Sequence, residues 1–342
     1  MNYATADVTA SERRDYITAL GTLTFAPGET SKTFAVLINE DSHAEGTEIF
    51  NVSLSNPFGF NLGSPATATV TITDDSSEST SNVIDDPQSF VCQHYHDFLN
   101  RAPDASGLAF WTNEITSCGT NQGCIDVKRI NVSAAYFLSI EFQQTGYLVE
   151  RIYKTSYGSA SGTSTLNGTH QLPVPSVRFI EFLSDTQKIG QGVIVGQAGW
   201  EQVLESNKQA FAAEFVQRAR FTTAFPNSMT VAQFVDALNA NAGNPLSTTE
   251  RNQLVNSGVT RAQILRAVAD DSDLFNGESS RAFVLMQYFG YLRRNPNDPQ
   301  DSDYTGFDFW LTKLNQFNGN FQNAEMVKAF LASGEFRGRF GP

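Results

Sequence analysis

Residues 90–111 read FVCQHYHDFLNRAPDASGLAFW, and most of this pattern returns near the end of the chain. The second copy reads FVLMQYFGYLRRNPNDPQDSDYTGFDFW over residues 283–310 and carries extra residues after its first proline. The matching positions are, in order, Phe90, Val91, Tyr95, Leu99, Arg101, Pro103, Gly107, Phe110 and Trp111, paired with Phe283, Val284, Tyr288, Leu292, Arg294, Pro296, Gly306, Phe309 and Trp310. Such repetition predicts a repeated structural unit.

The repeated unit has the period of a helix. Apolar residues in the first copy recur at spacings of three and four, which indicates a helix with one buried face. A shorter pattern, Ser-x-Glu-Phe, follows the copies at residues 139–142 and 333–336, and residues 270–275 resemble it. We therefore expect a first helical unit over residues 90–157, a loop over 158–172, a degenerate middle helical region over 173–280 and a second clear unit over 281–342.

The first 75 residues have a different period. Apolar and polar residues alternate in four runs, which are residues 22–25, 32–38, 49–54 and 67–73. Proline and glycine turns separate these runs, and short β-branched strands with such turns predict a β-sandwich. The polar residues 76–89 predict a linker. The expected fold is therefore multidomain, with an N-terminal all-β sandwich and a C-terminal all-α repeated helical region.

The chain is acidic, and its charge is unevenly distributed. The net charge is −13, and residues 1–88 contribute −10 of it through 13 acidic and three basic residues. Nucleic-acid binding requires lysine and arginine against phosphate, so this composition argues against a nucleic-acid partner. No apolar run approaches the ~20 residues that span a bilayer. The first ten residues lack the basic and apolar regions of a signal peptide.

The β region resembles a known family. The phrases GTLTFAPGETSKTFAVLINED, EGTEIFNVSLSNP and LGSPATATVTITDD are similar to those of a Calx-beta domain, the immunoglobulin-like module of sodium/calcium exchangers and many bacterial surface proteins. The resemblance covers residues 1–75 and lacks the family's first strand. Either the chain is a fragment or has a misplaced start, or another molecule donates that strand to the open sheet edge. The second explanation would allow self-association through the edge.

The Calx-beta resemblance implies a calcium site at one end of the sandwich. The family's ligand positions fall on Asp15, Glu40, Asp41, Glu45, Asp74 and Asp75. Glu40 replaces the usual aspartate, and Ser76 replaces a third consecutive acid. These acids come from three separate loops, and Ca²⁺ prefers several hard oxygen ligands. The alternative is a solvated acidic rim that binds no metal.

The helical region resembles a bacterial domain family of unknown function with the pattern FVxxxYxxxLxRxPDxxGxxFW, and it is similar in pattern to phycobilisome-linker repeats. Such domains often occur in secreted or surface proteins, so the resemblance implies an extracellular or cell-surface location. Five residues recur as a set within the repeats: Arg101, Asp104, Trp111, Arg294 and Trp310. We interpret them as structural residues that cap and pack helices. The alternative is a sugar or partner site in which tryptophan is the stacking platform.

The spacing of the cysteines predicts one disulfide bond. Cys118 and Cys124 flank a short polar loop, and we predict a disulfide between them, with two free thiols as the alternative. Cys92 lies on the apolar face of the first helix and is predicted to be packed rather than reactive. On the same helix, His94 is predicted to be packed and His96 solvated. No nucleophile, phosphate-loop or zinc-protease motif occurs in the sequence.

We therefore expect a non-enzymatic calcium-binding protein of the bacterial cell surface or exterior. Its helical repeats would mediate adhesion or assembly with other surface proteins or glycans. Two alternatives remain open. The helical repeats could bind or process carbohydrate, which exposed aromatic pairs and a carboxylate dyad in a cleft would favour. The chain could also be a filament or surface-layer subunit completed by a donated strand, which an ordered mass series in solution would favour.

Overall fold

The computed structural model describes residues 1–73 and 81–341, and the chain divides into two compact units. The first unit contains Met1–Tyr136, Gly290–Arg293 and Val327–Pro342, and the second contains Phe137–Phe289 and Arg294–Met326. This division cuts across the boundaries expected from the sequence, because the β region shares a unit with the first helices and the end of the chain. No helix in the described ranges has the length and apolar character to cross a bilayer.

Four strands come first in the chain, and helices follow them, with one pair of strands inserted among the helices. The strands are β1 (Asn2–Asp7), β2 (Leu20–Thr22), β3 (Glu48–Ser55), β4 (Thr67–Ile72), β5 (Ala160–Ser164) and β6 (His170–Val174). The helices are α1 (Pro87–Leu99), α2 (Ala105–Thr116), α3 (Gln122–Leu138), α4 (Ile140–Gln144), α5 (Gly146–Tyr157), α6 (Phe179–Gly190), α7 (Trp200–Phe215), α8 (Ala219–Ala224), α9 (Val231–Ala242), α10 (Thr248–Asn256), α11 (Arg261–Ala269), α12 (Ser272–Met286), α13 (Thr305–Gln316), α14 (Met326–Leu331) and α15 (Gly334–Arg337). The fold class is confirmed: an N-terminal antiparallel sheet region precedes a predominantly helical region.

The β region contains one antiparallel sheet with the strand order β2-β1-β3-β4. Alternation along β3 places Phe50 on the inner face of the sheet, where its ring stacks on Tyr16 with the centroids 4.4 Å apart. Ala10 completes this fully buried cluster, and Val36 and Val52 pack against it. Strand β4 pairs only with β3 among the described strands, so it forms one edge of the sheet.

The prediction of a strand over residues 32–38 is wrong. Between β2 and β3, where every residue is described, the chain makes one isolated bridge, from Ile38 to Tyr16. Beside it, the Ile17 N–H donates to the Leu37 carbonyl at 2.8 Å. A strand needs an extended partner of similar length, and only residues 15–17 run alongside this segment. The second layer of the expected sandwich is therefore irregular, although Tyr16 still covers the sheet.

The predicted linker over residues 76–89 ends earlier than expected. Asp86 caps α1, because its side chain accepts hydrogen bonds from the backbone N–H groups of Gln88 and Ser89. Pro87 occupies the first helical turn, where its missing N–H costs nothing. Ile84, just before the cap, is buried. Residues 76–80 of the predicted linker lie outside the described residues.

The prediction of a loop over residues 158–172 is corrected by a hairpin. Strands β5 and β6 pair antiparallel from Ala160 with Val174 to Ser164 with His170. The five-residue loop between the strands contains Asn167-Gly168, both with positive φ (57° and 110°), and the Gly168 N–H donates to the Thr165 carbonyl at 3.1 Å. The small residues of β5 have a packing reason, because a Cβ on Gly162 would lie 2.6 Å from the Tyr304 ring.

The short pattern that follows each copy is a helix start. Ser139 accepts a hydrogen bond from the Phe142 N–H at 3.1 Å at the start of α4. Ser333 accepts the equivalent bond from the Phe336 N–H, also at 3.1 Å, at the start of α15. Asp271, in the stretch that resembles this pattern, caps α12 in the same way. The repeated serine or aspartate therefore satisfies N–H groups that a helix start leaves free.

The repeated glycine allows two helices to approach closely in each clear copy. A Cβ on Gly107, in the first turn of α2, would overlap the Tyr95 hydroxyl of α1. The same relation holds in the second unit, where a Cβ on Gly306 would overlap the Tyr288 hydroxyl. The repeat thus preserves a contact between a tyrosine and a helix backbone that any larger residue would block.

Gly107→Ala and Gly306→Ala are each expected to destabilise the protein by about 1–3 kcal/mol, the usual cost of overpacking. Gly277→Ala is the matched control, because Gly277 lies within α12 and no atom is within 4 Å of its Cβ position. That change should stabilise the helix by roughly 0.5–1 kcal/mol. Urea unfolding of the three variants measures both effects, and equal stability of all three would contradict the packing argument.

Candidate metal centre

Three carboxylates converge in the first unit. Asp15, Asp41 and Glu45 each offer an oxygen atom, and these atoms all lie within 4.8 Å of one another. We call these residues the carboxylate cluster. Asp15 is buried, Asp41 is half-buried and Glu45 is exposed. Hard carboxylate oxygens at this spacing are the donors that Ca²⁺ prefers, so the donor set fits a divalent cation.

Local hydrogen bonds position the cluster. The Ser11 N–H donates to Asp15 Oδ2 at 2.6 Å, which orients the Asp15 carboxylate. The Asn39 N–H donates to the Asp15 carbonyl at 2.9 Å and joins the two loops that supply the cluster. The Asp41 carboxylate accepts a bond from the His43 N–H at 2.7 Å. The two loops are thus arranged by backbone groups before any cation is bound.

The electrostatics of the cluster favour a positive charge. Burial raises the pKa of Asp41 to about 6, and the neighbouring Glu45 and Asp15 carboxylates act in the same direction. The hydrogen bond from the His43 N–H partly opposes this rise in pKa. Arg14 lies on the exposed side of the cluster, with its Nη1 atom 3.4 Å from Glu45 Oε1. A bound cation would offset both the burial and the repulsion that make ionisation of Asp41 costly.

The six predicted ligands have three different outcomes. Asp15, Asp41 and Glu45 come together, as described above. Glu40 is exposed and is not part of the cluster. Asp74 and Asp75 lie outside the described residues, so their position relative to the cluster stays a prediction.

The cysteines are placed close to expectation. Cys118 and Cys124 form a disulfide with their Cα atoms 5.6 Å apart, which joins the link after α2 to the first turn of α3. Cys92 is a free thiol on α1 and is half-buried, so it is less packed than the sequence predicted. Burial raises the pKa of its thiol, and Asp86 adds to the rise. A thiol with a raised pKa is a weak nucleophile at neutral pH.

The repeated arginine makes corresponding contacts in the two units. Arg101 lies over the Tyr95 ring at 4.8 Å, and its Nη1 atom is 3.5 Å from Asp104 Oδ2. Asp104 also caps α2 by accepting from the Gly107 N–H at 2.8 Å. Arg294 lies over the Tyr288 ring at 5.5 Å and pairs with Asp301 at 2.8 Å. These contacts give both arginines a structural role at a helix end.

The repeated tryptophans are half-buried, and the phenylalanine that precedes each of them is exposed. Phe110 and Phe309 are 57% and 43% exposed. The Phe110 and Trp111 rings are perpendicular, with centroids 4.8 Å apart at 78°. The Phe309 and Trp310 rings repeat this arrangement at 4.9 Å and 78°. An apolar side chain is therefore kept at the surface in both copies.

Sequence reasoning missed a fully buried ion pair of the first unit. Arg339 makes two hydrogen bonds of 2.9 Å to the carboxylate of Asp97, and the side chains of both residues are 2% exposed. The Arg339 Nε–H also donates to the Arg13 carbonyl at 2.7 Å. The only sequence signal is an arginine among aromatic residues near the chain end, which does not identify its partner 242 residues away.

The histidines of α1 are both structural. His94 is packed as predicted, with Nδ1 bonded to the Phe90 carbonyl at 2.7 Å. That carbonyl only accepts, so Nδ1 carries the proton, and Nε2 accepts from the Ser133 hydroxyl at 2.6 Å. Burial lowers the pKa of His94 to about 4, so the ring is neutral at physiological pH. The prediction that His96 is solvated is wrong, because Nδ1 lies 3.2 Å from Asn39 Oδ1 in a partly buried site.

Two buried carboxyl groups lie close together inside the second unit. Glu150 of α5 and Glu278 of α12 are 2% and 7% exposed. Lys154 and Arg281 lie 3.5 and 3.2 Å from the two Glu278 oxygens. Burial, and then the Glu278 charge, raise the pKa of Glu150 to about 8, so Glu150 holds its proton at neutral pH. Both carboxyl groups are enclosed by helices, which does not match a catalytic dyad in an open cleft.

Comparison with known proteins identifies the β region. A model of the Calx-beta domain family matches residues 1–76, so this region has the class of module that its sheet and carboxylate cluster indicate. Similar stretches occur in integrin beta-4 of Rattus norvegicus (47% identical over 79 residues, 21% of this chain) and of Homo sapiens (43% over 81 residues, 22% of this chain). Each alignment spans only 4% of the relative's length. No solved structure matches the chain.

Glu150→Gln is expected to flatten the pH dependence of stability. The pKa of Glu150 is about 8 in the folded protein and ~4.3 in an unfolded chain. Between these values the folded state holds the extra proton, so stability falls as pH rises, by at most about 1.4 kcal/mol per pH unit. Glutamine cannot ionise and removes this loss.

Calorimetric melting of the full chain from about pH 5 to about pH 9 measures the slope. Glu201→Gln, an exposed change on α7, is the control and should keep the wild-type slope. A Glu150→Gln protein with an unchanged slope would show that Glu150 is already ionised at neutral pH.

Proposed function

We propose that the protein is a non-enzymatic, calcium-binding protein of the cell surface or exterior, in which Ca²⁺ stabilises the Calx-beta region and the helical repeats mediate adhesion or assembly. The observation that carries this proposal is the convergence of Asp15, Asp41 and Glu45 within 4.8 Å. Like charges repel at this distance, and a cation between them converts the repulsion into attraction. Asp74 and Asp75 follow β4 in the sequence and are proposed as further ligands.

The disulfide supports the proposed location. Disulfides persist in oxidising compartments and are rare where thiols are kept reduced. The Cys118–Cys124 bridge closes a loop of a few residues between two helices. A location outside the cytoplasm also supplies the calcium concentrations at which a site of exposed and half-buried carboxylates is occupied.

The edge of the sheet supports a protein partner. Strand β4, TATVTI, carries no charged residue and has β3 as its one partner among the described strands. An uncharged edge strand presents backbone N–H and C=O groups to an added strand. We propose that another surface protein or a second copy of this chain supplies that strand.

Calcium titration into chelator-treated full chain tests the function. Calorimetric titration should give a binding heat, and a melt of the same sample should show a stabilisation of about 2.7 kcal/mol when Ca²⁺ is present at 100 times the dissociation constant. Asp41→Asn keeps an oxygen that accepts the His43 N–H but loses the charge, so it should weaken binding at least about tenfold. It should also raise the melting temperature of the metal-free protein.

Glu40→Gln is the matched control, because it removes the same charge from the same loop outside the cluster. It should change calcium affinity by a factor of about two or less, the effect of one screened surface charge. The proposal fails if the wild-type chain melts at the same temperature with Ca²⁺ and with chelator.

A second candidate function is carbohydrate binding by the helical repeats. The observation that favours it is the exposed, perpendicular pair formed by Phe110 and Trp111 and repeated by Phe309 and Trp310. Aromatic faces at the surface offer large apolar contacts with polar edges nearby. The two equivalent pairs would give two equivalent sites, one in each compact unit.

Binding to immobilised glycans, measured with single and double alanine variants, tests this candidate. Phe110→Ala and Phe309→Ala should each weaken retention, and the double variant should lose the avidity that two sites provide. Val203→Ala removes a comparably exposed apolar side chain from α7 and should have no effect. Retention that is equal in all variants would exclude the aromatic pairs as a glycan site.

A further inference from the structure

The loop that supplies Asp15 also contacts the end of the chain. We call residues 11–15 the first ligand loop and residues 333–341 the C-terminal segment. Arg13 Nη2 pairs with Glu335 Oε1 at 2.6 Å, and the Arg13 carbonyl accepts from Arg339 Nε at 2.7 Å. One residue two positions before a proposed ligand therefore makes two contacts with the C-terminal segment.

The loop that supplies Asp41 and Glu45 contacts the same segment. We call residues 39–45 the second ligand loop. The Ser42 N–H donates to the Phe340 carbonyl at 2.9 Å, and His43 Nε2 lies 3.2 Å from the Gly338 carbonyl oxygen. Both contacting residues lie between the two proposed ligands of this loop. A Cβ on Gly341 would approach the Ser42 side chain to 3.2 Å, so the fit is close.

The C-terminal segment and a bound cation need the same loop geometry. The segment spans the first and second ligand loops, so its contacts form together only when the loops keep one separation. The carboxylate cluster also spans both loops, and a cation holds Asp15 of one against Asp41 and Glu45 of the other. Without a cation, the Asn39 N–H still joins the loops through the Asp15 carbonyl, but repulsion among the three carboxylates weakens this geometry.

We propose that a divalent cation in the carboxylate cluster locks the C-terminal segment onto the β region. This inference rests on the proposed calcium function and extends it to a conformational consequence. The segment begins with the Ser333 cap and includes Phe336, which packs against Tyr291 with ring centroids 5.3 Å apart. Cation binding would therefore also affect the contact of this segment with Tyr291, which belongs to the second copy of the repeat. Because coupling between two binding events is reciprocal, a well-held segment must also strengthen cation binding.

Hydrogen exchange of the full chain, followed by mass spectrometry in CaCl₂ and in chelator, tests the proposal. Peptides from residues 333–341 should exchange roughly five- to a hundredfold more slowly with Ca²⁺, the range expected for coupled sites. Peptides from the two ligand loops should slow as well. Asp41→Asn should abolish the protection in all three segments.

Two variants test the reverse direction of the coupling. Glu335→Gln weakens the Arg13 contact without touching a proposed ligand, so calcium affinity should fall roughly two- to fivefold, the value of one partly exposed ion pair. Glu201→Gln on α7 removes the same charge in the second unit and should leave the affinity unchanged.

The outcomes separate this proposal from the calcium function. A binding heat with protection restricted to residues 11–15 and 39–45 would overturn the lock and leave calcium binding intact. A binding heat with protection of residues 333–341 that persists in Asp41→Asn would also overturn it, because the effect would come from another site. The absence of any binding heat would refute the calcium function and the lock together.

Discussion

The buried pair of Asp97 and Arg339 is the interaction on which the first unit depends. Two charges with 2% exposed side chains are costly to bury, and the cost is met only when every donor and acceptor is used. Arg339 uses both Nη atoms on Asp97 and also donates to the carbonyls of Tyr291 and Arg13. One guanidinium therefore contacts α1, residues 290–293 and the β region. Removal of one partner from such a pair costs roughly 3–5 kcal/mol, because the other charge is left buried.

This pair explains why the compact units differ from the domains expected from the sequence. Sequence periodicity shows local elements: it predicted that the helices begin at residue 90, and α1 begins at Pro87. It contains no information on which elements share a core. The contacts that join the β region to the chain end, such as Asn82 Nδ2 with the carbonyls of Arg337 and Gly341, connect residues more than 250 positions apart. Polar side chains with distant partners leave no periodic signal.

Repetition within the sequence was the most reliable predictor, because residues at equivalent positions of the two copies make the same local contacts. It identified Gly107 and Gly306, which make room for Tyr95 and Tyr288, and it identified the serine caps of α4 and α15. Single short runs were less reliable. Residues 32–38 do alternate, but they form only one isolated bridge. The small residues of β5 did not suggest a strand, and the Asn-Gly pair after β5 was the sequence signal for a hairpin. Of the six predicted calcium ligands, three converge because they lie on two hydrogen-bonded loops.

The uneven charge of the chain is partly balanced by ion pairs inside the first unit. Residues 1–88 carry a net charge of −10, and the C-terminal segment supplies Arg337 and Arg339 against Asp85 and Asp97. Part of the acidity is thus balanced within the first unit by its own chain end. The carboxylate cluster is a separate part of the acidity, since these arginines bind the carboxylates of Asp85 and Asp97 and nearby backbone carbonyls. A divalent cation is small enough to enter between three carboxylates where a guanidinium is not, so the proposed cation would neutralise a part of the acidic surface next to the part that the C-terminal segment neutralises.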